Sequence, residues 1–508
     1  MIAAATGNLV ELLRDRVGIA PDRPALLDFD GALTFAELER RAIAVAGALA
    51  AVGLGRGDRA IVLVPVSREL YVLLVALLRV GATAVFLEPG IGLREIARAC
   101  ERTDARAFIG SPRAHVLRLA SPRLRAIPLA VVTGGIALPG TISLDDTASA
   151  RDHVPVARVD DATPALLTFT SGTGGPPKML ARGHALLHAQ HRVLLDAFPL
   201  GAGDRTFSAG PLFALHDLAA GATVVLPTGL RPGRYGDSAA VVSWLAASRA
   251  TVLRLDPRIA SAIADGSTRT RIALGDVRTV FIGGAPVGGA LIARSRTVFP
   301  AARIYVAYGS SEAEPIAAID ATQVEDETAG LTATGRGYCV GRTIAPTELR
   351  IGHPDAAGAG EIEVRGPHVN AIGWHRTGDT GYRDARGRVW LLGRETDRVR
   401  RAGRALHPYA VEPVVETLPF VARCALVAVA DPRLGERAVL VVSPLRWSPV
   451  ALARRRGWRR RIEALLATHE IAIDEIRWAR RLPLEQRHRA KIRHGELRRR
   501  LIAAAARK

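Results

Sequence analysis

The sequence predicts an α/β fold, with a large N-terminal domain of stacked α/β subdomains plus a small β section, followed by a small α+β C-terminal domain. Three observations support this. Residues 23–90 alternate helix-like and strand-like segments, the alternation recurs in the middle of the chain, and shorter β-rich pieces begin near residue 335. Such alternation indicates parallel strands joined by helices.

The first part of the alternation contains one helix between strands. Residues 33–54, LTFAELERRAIAVAGALAAVGL, repeat apolar side chains with helical periodicity. The β-rich run RAIVLVPV follows at 59–66, and after an intervening helix comes ATAVFLEP at 82–89. These segments predict the start of a parallel sheet.

Four later apolar runs predict further strands, and each ends in Gly, Pro or small polar residues. They are ATVVLPTG (222–229), TVLRLDP (251–257), VRTVFIGGAP (277–286) and ARIYVAYGSSE (302–312). Binding sites in open α/β sheets gather at strand ends. The residues that close these runs are therefore candidate site residues.

The C-terminal third has a different sequence pattern, with shorter β-rich pieces. The short β-rich pieces at 347–352, 360–366 and 387–393 predict a small antiparallel or barrel-like section. Two further strands, CALVAVAD and RAVLVVSP, are followed by an arginine-rich amphipathic helix and a tail. We therefore expect two domains, residues 1–397 and 398–508.

Composition indicates a folded protein of enzyme size. The chain has 508 residues, 48% of them apolar and 23% charged. Its longest apolar stretch, YVLLVALL, is far shorter than the ~20 residues of a membrane helix, so we expect no transmembrane segment. The N-terminus lacks a signal-peptide pattern, and the three cysteines show no metal-ligand spacing, which favours a cytoplasmic protein.

The net charge of +20 raises the alternative of a nucleic-acid-binding protein. The arginines, however, are spread over the whole chain, and the densest run, ARRRGWRRR at 453–461, is typical of an exposed helix face. No aromatic RNA-binding signature accompanies them. We therefore expect no nucleic-acid partner.

Lysine is scarce, with only Lys178, Lys491 and Lys508 among 69 basic residues. Lysine offers a compact charge on a flexible stem, whereas arginine offers a broad planar fork. Lys178 closes the Gly-rich loop TSGTGGPPK at 170–178, and Lys491 lies in LPLEQRHRAKI. Both are positions where a phosphate-handling enzyme could require an ammonium group.

The loop at 170–178 is the first candidate phosphate site. It follows the apolar segment ALLTF, and its glycines allow backbone N–H groups to converge on an anion while hydroxyls add donors. Its spacing is not that of the common P-loop. The candidate phosphate ligands are Thr170, Ser171, Gly172, Thr173, Gly175 and Lys178.

The Pro177-Lys178 ending resembles the phosphate loop of the AMP-forming adenylate synthetases, the superfamily of acyl-CoA synthetases, luciferases and peptide-synthetase adenylation domains. YGSSE at 308–312 is similar to that family's Tyr-Gly-any-Thr-Glu motif, and residues 376–404 match its longest signature. Each motif alone could be an ordinary turn or a solvated loop. Their order and spacing along some three hundred residues identify the chain as a member.

The resemblance implies roles for individual residues. Tyr308, Gly309 and Ser311 would serve the phosphates, with Ser311 and Glu312 on Mg²⁺, a cation that selects hard oxygen ligands. Asp379 and Arg394 would hold the ribose, and Asp397 would be the hinge of a mobile C-terminal domain. The loop lining the adenine pocket would be Gly283, Gly284, Ala285 and Pro286. Lys491 falls where the family carries its catalytic lysine, and Glu412 continues the pattern.

The implied activity is ATP-dependent activation of a carboxylic acid, either fatty or otherwise hydrophobic, as acyl-AMP with release of pyrophosphate. CoA is the expected acceptor. The segments PLFAL, Glu-Pro after YGSSEA, and RHRAKI are nevertheless more similar to β-lactone synthetases of olefin biosynthesis, which close a β-hydroxy acid onto its own hydroxyl.

Two departures from the family pattern leave further alternatives open. Gly174 replaces the usual threonine, which removes one hydroxyl from the phosphate loop and would also suit a degenerate adenylate-binding protein. Ala214 stands where many acyl-CoA synthetases carry a histidine, and His216 follows two residues later. His216 could be a shifted pocket residue or an ordinary polar residue with no role in the pocket.

Overall fold

The computed structural model describes residues 7–87, 93–134, 138–144, 153–170, 178–208, 210–227, 237–449, 453–485 and 491–505. The chain divides into two compact units. The first comprises Met1–Leu255, Ile259–Val280 and Ser295–Ala302, and the second comprises Asp256–Arg258, Phe281–Arg294 and Arg303–Lys508. The boundary predicted at Asp397 falls inside the second unit and stays a prediction.

The first unit contains helices between short, mostly parallel strands. Its helices are α1 Val10–Ile19, α2 Phe35–Ala51, α3 Arg68–Val80, α4 Leu93–Glu101, α5 Pro112–Leu119, α6 Pro122–Arg125, α7 His184–Ala197, α8 Pro211–Ala219 and α9 Ser238–Ala247. Its strands are β1 Pro24–Asp28, β2 Gly31–Thr34, β3 Arg59–Leu63, β4 Thr83–Phe86, β5 Ala107–Gly110, β6 Leu129–Val132, β7 Ile142–Ser143, β8 Pro164–Thr170, β9 Lys178–Gly183, β10 Arg205–Ser208, β11 Thr223–Val225 and β12 Val252–Leu255.

Two groups of strands form in this unit. One sheet has the order β7-β6-β5-β3-β4-β8-β9 and is parallel except for the antiparallel pair β8–β9. The other group has the order β12-β10-β11-β1-β2 and is parallel except for β1–β2. The predicted α/β class is confirmed.

Helices α2 and α3 show how the sequence specifies the elements around these strands. The Thr34 side chain accepts from the Glu37 N–H, and the Glu37 side chain accepts from the Thr34 N–H, which forms a capping box at the start of α2. α3 is buried from Leu70 to Val80, as expected for a helix that is apolar on all sides. Gly81 ends it in the left-handed conformation.

Three elements straddle the division between the units: α10 Pro257–Thr270, β13 Thr279–Gly283 and α11 Gly289–Val298. The second unit continues with β14 Arg303–Ser310, β15 Ala313–Asp320, α12 Ala321–Gln323, a π-helical turn Val324–Thr328, α13 Ala329–Ala333, β16 Tyr338–Thr343, β17 Glu348–Gly352, β18 Gly360–Arg365, β19 His375–Arg383, β20 Val389–Arg394 and a 3₁₀ turn Glu395–Asp397. It ends with β21 Val399–Arg401, β22 Arg404–Leu406, α14 Pro408–Glu416, β23 Val421–Asp431, β24 Gly435–Pro444, α15 Arg455–Thr468, β25 Glu475–Trp478 and α16 His494–Ala505.

The strands of the second unit also form two groups. The order β17-β18-β19-β20-β16-β15-β14 is antiparallel throughout, as predicted for the β-rich section. The C-terminal sheet has the order β22-β21-β24-β23, and β25 pairs parallel with β24.

Alternate residues of the C-terminal sheet face different helices. Leu426 and Leu440 pack in one cluster with α14 and α15, whereas Val427 and Val439 pack in another with Leu497 of α16. Both faces of this sheet are therefore covered. Among the described residues, none of the helices is both long enough and apolar enough to cross a membrane.

The antiparallel section contains a position where only glycine fits. Gly341 has φ +80°, and a Cβ there would lie 2.1 Å from the Ala318 carbonyl oxygen across the β15–β16 pair.

We expect Gly341→Ala to destabilise the protein by about 3 kcal/mol or more, because both steric overlap and backbone strain are imposed. In α15, Gly457 has open space around it. Gly457→Ala should raise the thermal midpoint slightly, because alanine favours helix. A Gly341→Ala midpoint equal to that of the wild type would contradict the expectation.

Candidate active site

A hydrogen-bonded cluster of Tyr308, Asp379 and Arg394 lies within the second unit. The Tyr308 hydroxyl donates to Asp379 Oδ2 at 2.8 Å, and Arg394 Nε lies 2.9 Å from Asp379 Oδ1. Asp379 and Arg394 stand opposite each other in the β19–β20 register. Burial, followed by the Asp379 charge, raises the pKa of Tyr308 well above its ordinary value, so the phenol stays protonated.

Thr377 fixes the orientation of this cluster. Its Oγ1 accepts from the Asp379 N–H at 3.1 Å, and its carbonyl oxygen accepts from Arg394 Nη1 at 3.0 Å. Each Asp379 oxygen thus receives one side-chain contact. Because a carboxylate oxygen can accept more than one hydrogen bond, Asp379 can also accept from ligand hydroxyls.

The predicted adenine loop lies beside the strand that carries Tyr308. A Cβ on Gly283 would lie 2.7 Å from the Ala307 carbonyl oxygen, so only glycine permits this approach to β14. Gly284 has φ +83°, and Ala285 and Pro286 are half-buried. The structure therefore brings Gly283 close to the Tyr308 strand, and the adenine-lining role of residues 283–286 stays a prediction.

Ser311 and Glu312 form the turn between β14 and β15. The Glu312 carbonyl oxygen accepts from the Asn370 N–H at 2.7 Å, and Gly309 allows the turn to close, since a Cβ there would lie 3.0 Å from the Ala313 oxygen. Both side chains are half-buried.

Together Ser311 and Glu312 supply a hydroxyl and a carboxylate. This donor set fits Mg²⁺, which keeps several waters and binds with the phosphates of its nucleotide. Within the described ranges, no cluster of three or more His, Cys, Asp and Glu side chains could hold a metal ion. The Mg²⁺ contacts of Ser311 and Glu312 stay a prediction.

The predicted phosphate loop lies mostly outside the described residues. Its outside part includes Ser171, Gly172, Thr173, Gly174 and Gly175. Thr170 ends β8 and Lys178 begins β9, and the two pair in antiparallel register. Their side chains are also outside the described part, so their predicted phosphate contacts stay predictions.

Lys491 lies in a short segment that pairs antiparallel with residues 483–485. The Glu485 N–H donates to the Lys491 carbonyl oxygen at 2.9 Å, and the Arg493 N–H donates to the Pro483 oxygen at 2.9 Å. Leu484 and Ile492 form the bridge between these bonds. We call residues 483–485 and 491–493 the lysine hairpin; Lys491 is half-buried, and the backbone bonds at Lys491 and Arg493 hold the two segments together.

His494, directly after the lysine hairpin, contacts two carboxylates. Its Nε2 lies 2.7 Å from Glu412 Oε1, and its Nδ1 lies 3.6 Å from Asp397 Oδ2. Burial alone lowers the pKa of His494, but Glu412 and Asp397 outweigh it and raise the value to about 9. Burial raises the pKa of Asp397, the predicted hinge residue.

The sequence did not single out His494 or Tyr409 as site residues. Burial, followed by the Asp379 charge, raises the pKa of Tyr409, which places this phenol in the electrostatic environment of the Tyr308 cluster. Tyr409 belongs to HPYAVE, the segment that contains Glu412, and His494 lies three positions after Lys491. Closeness in sequence to a motif residue was the feature that could have identified each of them as a candidate.

His216 belongs to a buried polar cluster in the first unit. Its Nδ1 lies 2.8 Å from Nδ1 of His191, and burial lowers the pKa of both imidazoles, to about 4 for His191. Next to it, Asp217 and Arg254 form a buried ion pair at 2.6 Å, with Arg254 over the Phe213 ring. Among the described residues, Nε2 of His216 has no hydrogen-bond partner. This burial is compatible with both alternatives considered for His216.

Comparisons with known proteins identify the family. The sequence profile of the AMP-binding enzymes matches residues 13–371. The chain is 33% identical to a protein named olefin β-lactone synthetase from Stenotrophomonas maltophilia, over 97% of this chain and 96% of the relative. It is 30% identical to a feruloyl-CoA synthase of an Amycolatopsis species, over 96% and 97%.

A solved structure has the same fold. The amide bond synthetase McbA from Marinactinospora thermotolerans superposes with a TM-score of 0.81 at 24% identity, covering 97% of this chain and 99% of that one. The predicted family and its use of ATP with a small-molecule acid are confirmed; the acceptor and the individual site roles stay predictions. The chain belongs to the family of AMP-binding enzymes and is an AMP-forming acid ligase.

Proposed function

We propose that this chain is a β-lactone synthetase, which activates a hydrophobic β-hydroxy acid as acyl-AMP and closes it onto its own hydroxyl. The observation that carries the proposal is the 33% identity to a named olefin β-lactone synthetase along 97% of the chain. The sequence alone favoured CoA as acceptor, with lactone closure as the alternative. The identity to this relative supports lactone closure as the first candidate and transfer to CoA as the alternative.

The first step activates a poor electrophile. A carboxylate oxygen of the acid attacks the α-phosphorus of ATP, a new P–O bond forms, and pyrophosphate leaves with the electrons of the broken bond. Negative charge accumulates on the phosphates, and fixed cations stabilise it. Lys491 is the residue proposed to bridge the carboxylate and the α-phosphate, and Mg²⁺ bound with ATP supplies further positive charge.

The nucleotide needs its own contacts during this step. Asp379 accepts from the ribose hydroxyls with the lone pairs left over by Tyr308 and Arg394. The adenine base lies against residues 283–286. These contacts are made equally in the ground and transition states, so they chiefly determine the KM for ATP.

The second step is intramolecular. The β-hydroxyl oxygen bonds to the carbonyl carbon, the bond from that carbon to the phosphate oxygen breaks, AMP leaves with its electrons, and the hydroxyl proton passes to solvent. Proximity of well-oriented groups is worth up to ~7–11 kcal/mol, so no thiol acceptor is required.

A CoA ligase is the second candidate. The 30% identity to a feruloyl-CoA synthase over 96% of the chain supports it. The two candidates share the first step and differ in the acceptor, so the products formed with and without CoA separate them.

Product analysis tests the proposed function. The purified protein is incubated with ATP, MgCl₂ and fatty or β-hydroxy fatty acids, with and without CoA. We expect AMP, pyrophosphate and a product one water lighter than the β-hydroxy acid, formed without CoA. Acyl-CoA formed only when CoA is present would establish the second candidate, and absence of AMP with every acid would support an adenylate-binding non-enzyme.

Removal of the Lys491 charge tests its role. We expect Lys491→Ala to slow acyl-AMP formation on the order of 10²–10³-fold, since one preorganised charge is lost from the transition state. Ring closure of added acyl-AMP should be spared. The exposed neighbour variant Arg493→Ala serves as the matched control. Acyl-AMP formation at the wild-type rate in Lys491→Ala would exclude the assigned role.

Asp379→Asn tests the ribose contact. The substitution keeps the shape but removes the charge that Arg394 faces, at a cost of about 1.5–3 kcal/mol, which corresponds to a KM for ATP raised about 10–150-fold with a smaller change in kcat. Asp384→Asn is the control, because Asp384, in the turn that joins the same two strands, also accepts hydrogen bonds from an arginine and an aromatic side chain, Arg388 and Trp390. Equal KM changes in the two variants would refute a specific role of Asp379.

A further inference from the structure

We propose that His494 is a positioning residue for Lys491: its imidazolium holds the lysine hairpin against Glu412 and against the predicted hinge residue Asp397. This inference rests on the proposed role of Lys491 in acyl-AMP formation. His494 would act through the hairpin without contacting substrate.

The hydrogen-bond partners of His494 favour a doubly protonated ring. Nε2 faces a carboxylate oxygen of Glu412 at 2.7 Å. Nδ1 faces the carbonyl oxygen of Ile492 at 3.2 Å and the carboxylate of Asp397 at 3.6 Å. All three partners are acceptors, and only the imidazolium has an N–H on both nitrogens.

The contacts of His494 join three segments of the chain. Ile492, which takes the Nδ1 bond, is next to Lys491 in the lysine hairpin. Glu412 belongs to α14, and its Oε1 also accepts from the Leu426 N–H of β23 at 2.9 Å. The imidazolium therefore connects the lysine hairpin to a carboxylate that is itself anchored to the C-terminal sheet.

Burial makes this connection dependent on charge. His494 and Glu412 are 9% and 6% exposed, and an unpaired charge at such depth is costly. When the imidazolium loses its proton, one ring nitrogen turns a lone pair toward an acceptor and that contact becomes repulsive. The hairpin is then released on one side, and the ammonium of Lys491 is displaced.

The surrounding charges set the pH at which this occurs. The pKa of His494 is raised to about 9 from 6.5, so the charged form prevails below about pH 9 and is lost above it. The elements around it carry several titratable and charged groups. They are Glu412, Glu416 and Tyr409 of α14, Asp397 and Glu395 of the 3₁₀ turn with the adjacent Arg398, Arg394 of β20, Arg423 and Cys424 of β23, Lys491, Arg493, Glu496 and Arg498 of its own segment, and Glu436 of β24, which pairs with Arg498.

The test separates the two half-reactions across pH 7 to 10. In the wild type we expect acyl-AMP formation to fall above pH 9, with about a tenth of the charged His494 left at pH 10. Ring closure from added acyl-AMP should not follow this profile. His494→Gln should slow acyl-AMP formation about 10²-fold at pH 7, because the catalytic lysine is displaced. The decline in rate near pH 9 should be absent in this variant. His353→Gln, at an exposed position, is the control.

Hydrogen exchange provides a readout that does not require activity. In His494→Gln, the amides of Glu485 and Arg493 should exchange faster, whereas those of the β18–β19 pair should not change. Unchanged exchange in the hairpin would overturn the positioning role, even if the wild type forms no acyl-AMP. Equal slowing of both half-reactions together with a lower thermal midpoint would show a merely structural contact and would also overturn it.

Discussion

The nucleotide side of the proposed site depends on the half-buried carboxylate of Asp379, held between Tyr308 and Arg394. A carboxylate that is partly withdrawn from water needs a charged or hydrogen-bonding partner, and here one partner comes from β14 and the other from β20. The same two strands lead directly into other proposed site residues: β14 runs into Ser311 and Glu312, and β20 runs into Asp397. One electrostatic interaction thus joins the two strands whose ends carry the proposed nucleotide contacts, the proposed metal ligands and the proposed hinge.

Much of this arrangement could be predicted from the sequence. Strand ends were recognisable because short apolar runs stop at Gly, Pro or small polar residues, as at Gly283 and Ser310. The opposition of Asp379 and Arg394 was not part of that prediction, because the β-rich piece at 387–393 was recognised but its partner strand at 375–383 was not. Family motifs then supplied chemical roles for these residues, although the roles themselves remain proposals.

The rest depends on contacts between residues distant in sequence. His494 reaches Glu412 across 82 positions, and no local pattern marks either residue as part of a pair. Tyr409 joins the Asp379 environment only because α14 packs where it does. The neutral pair His191–His216 is similar: each histidine on its own helix resembles an ordinary polar residue, and only burial distinguishes it. A single sequence shows periodicity and motifs, whereas these long-range contacts arise from packing and desolvation.

An isotope experiment tests most directly whether the acid is activated as acyl-AMP and then closed by its own hydroxyl. The β-hydroxy acid is supplied with both carboxylate oxygens as ¹⁸O, and AMP and the product are analysed by mass spectrometry. We expect one ¹⁸O in the phosphate of AMP and one in the lactone, because one carboxylate oxygen leaves with AMP while the hydroxyl supplies the ring oxygen. Unlabelled AMP with a lactone that retains both labels would mean that the hydroxyl is the activated group, and would contradict activation of the acid as acyl-AMP.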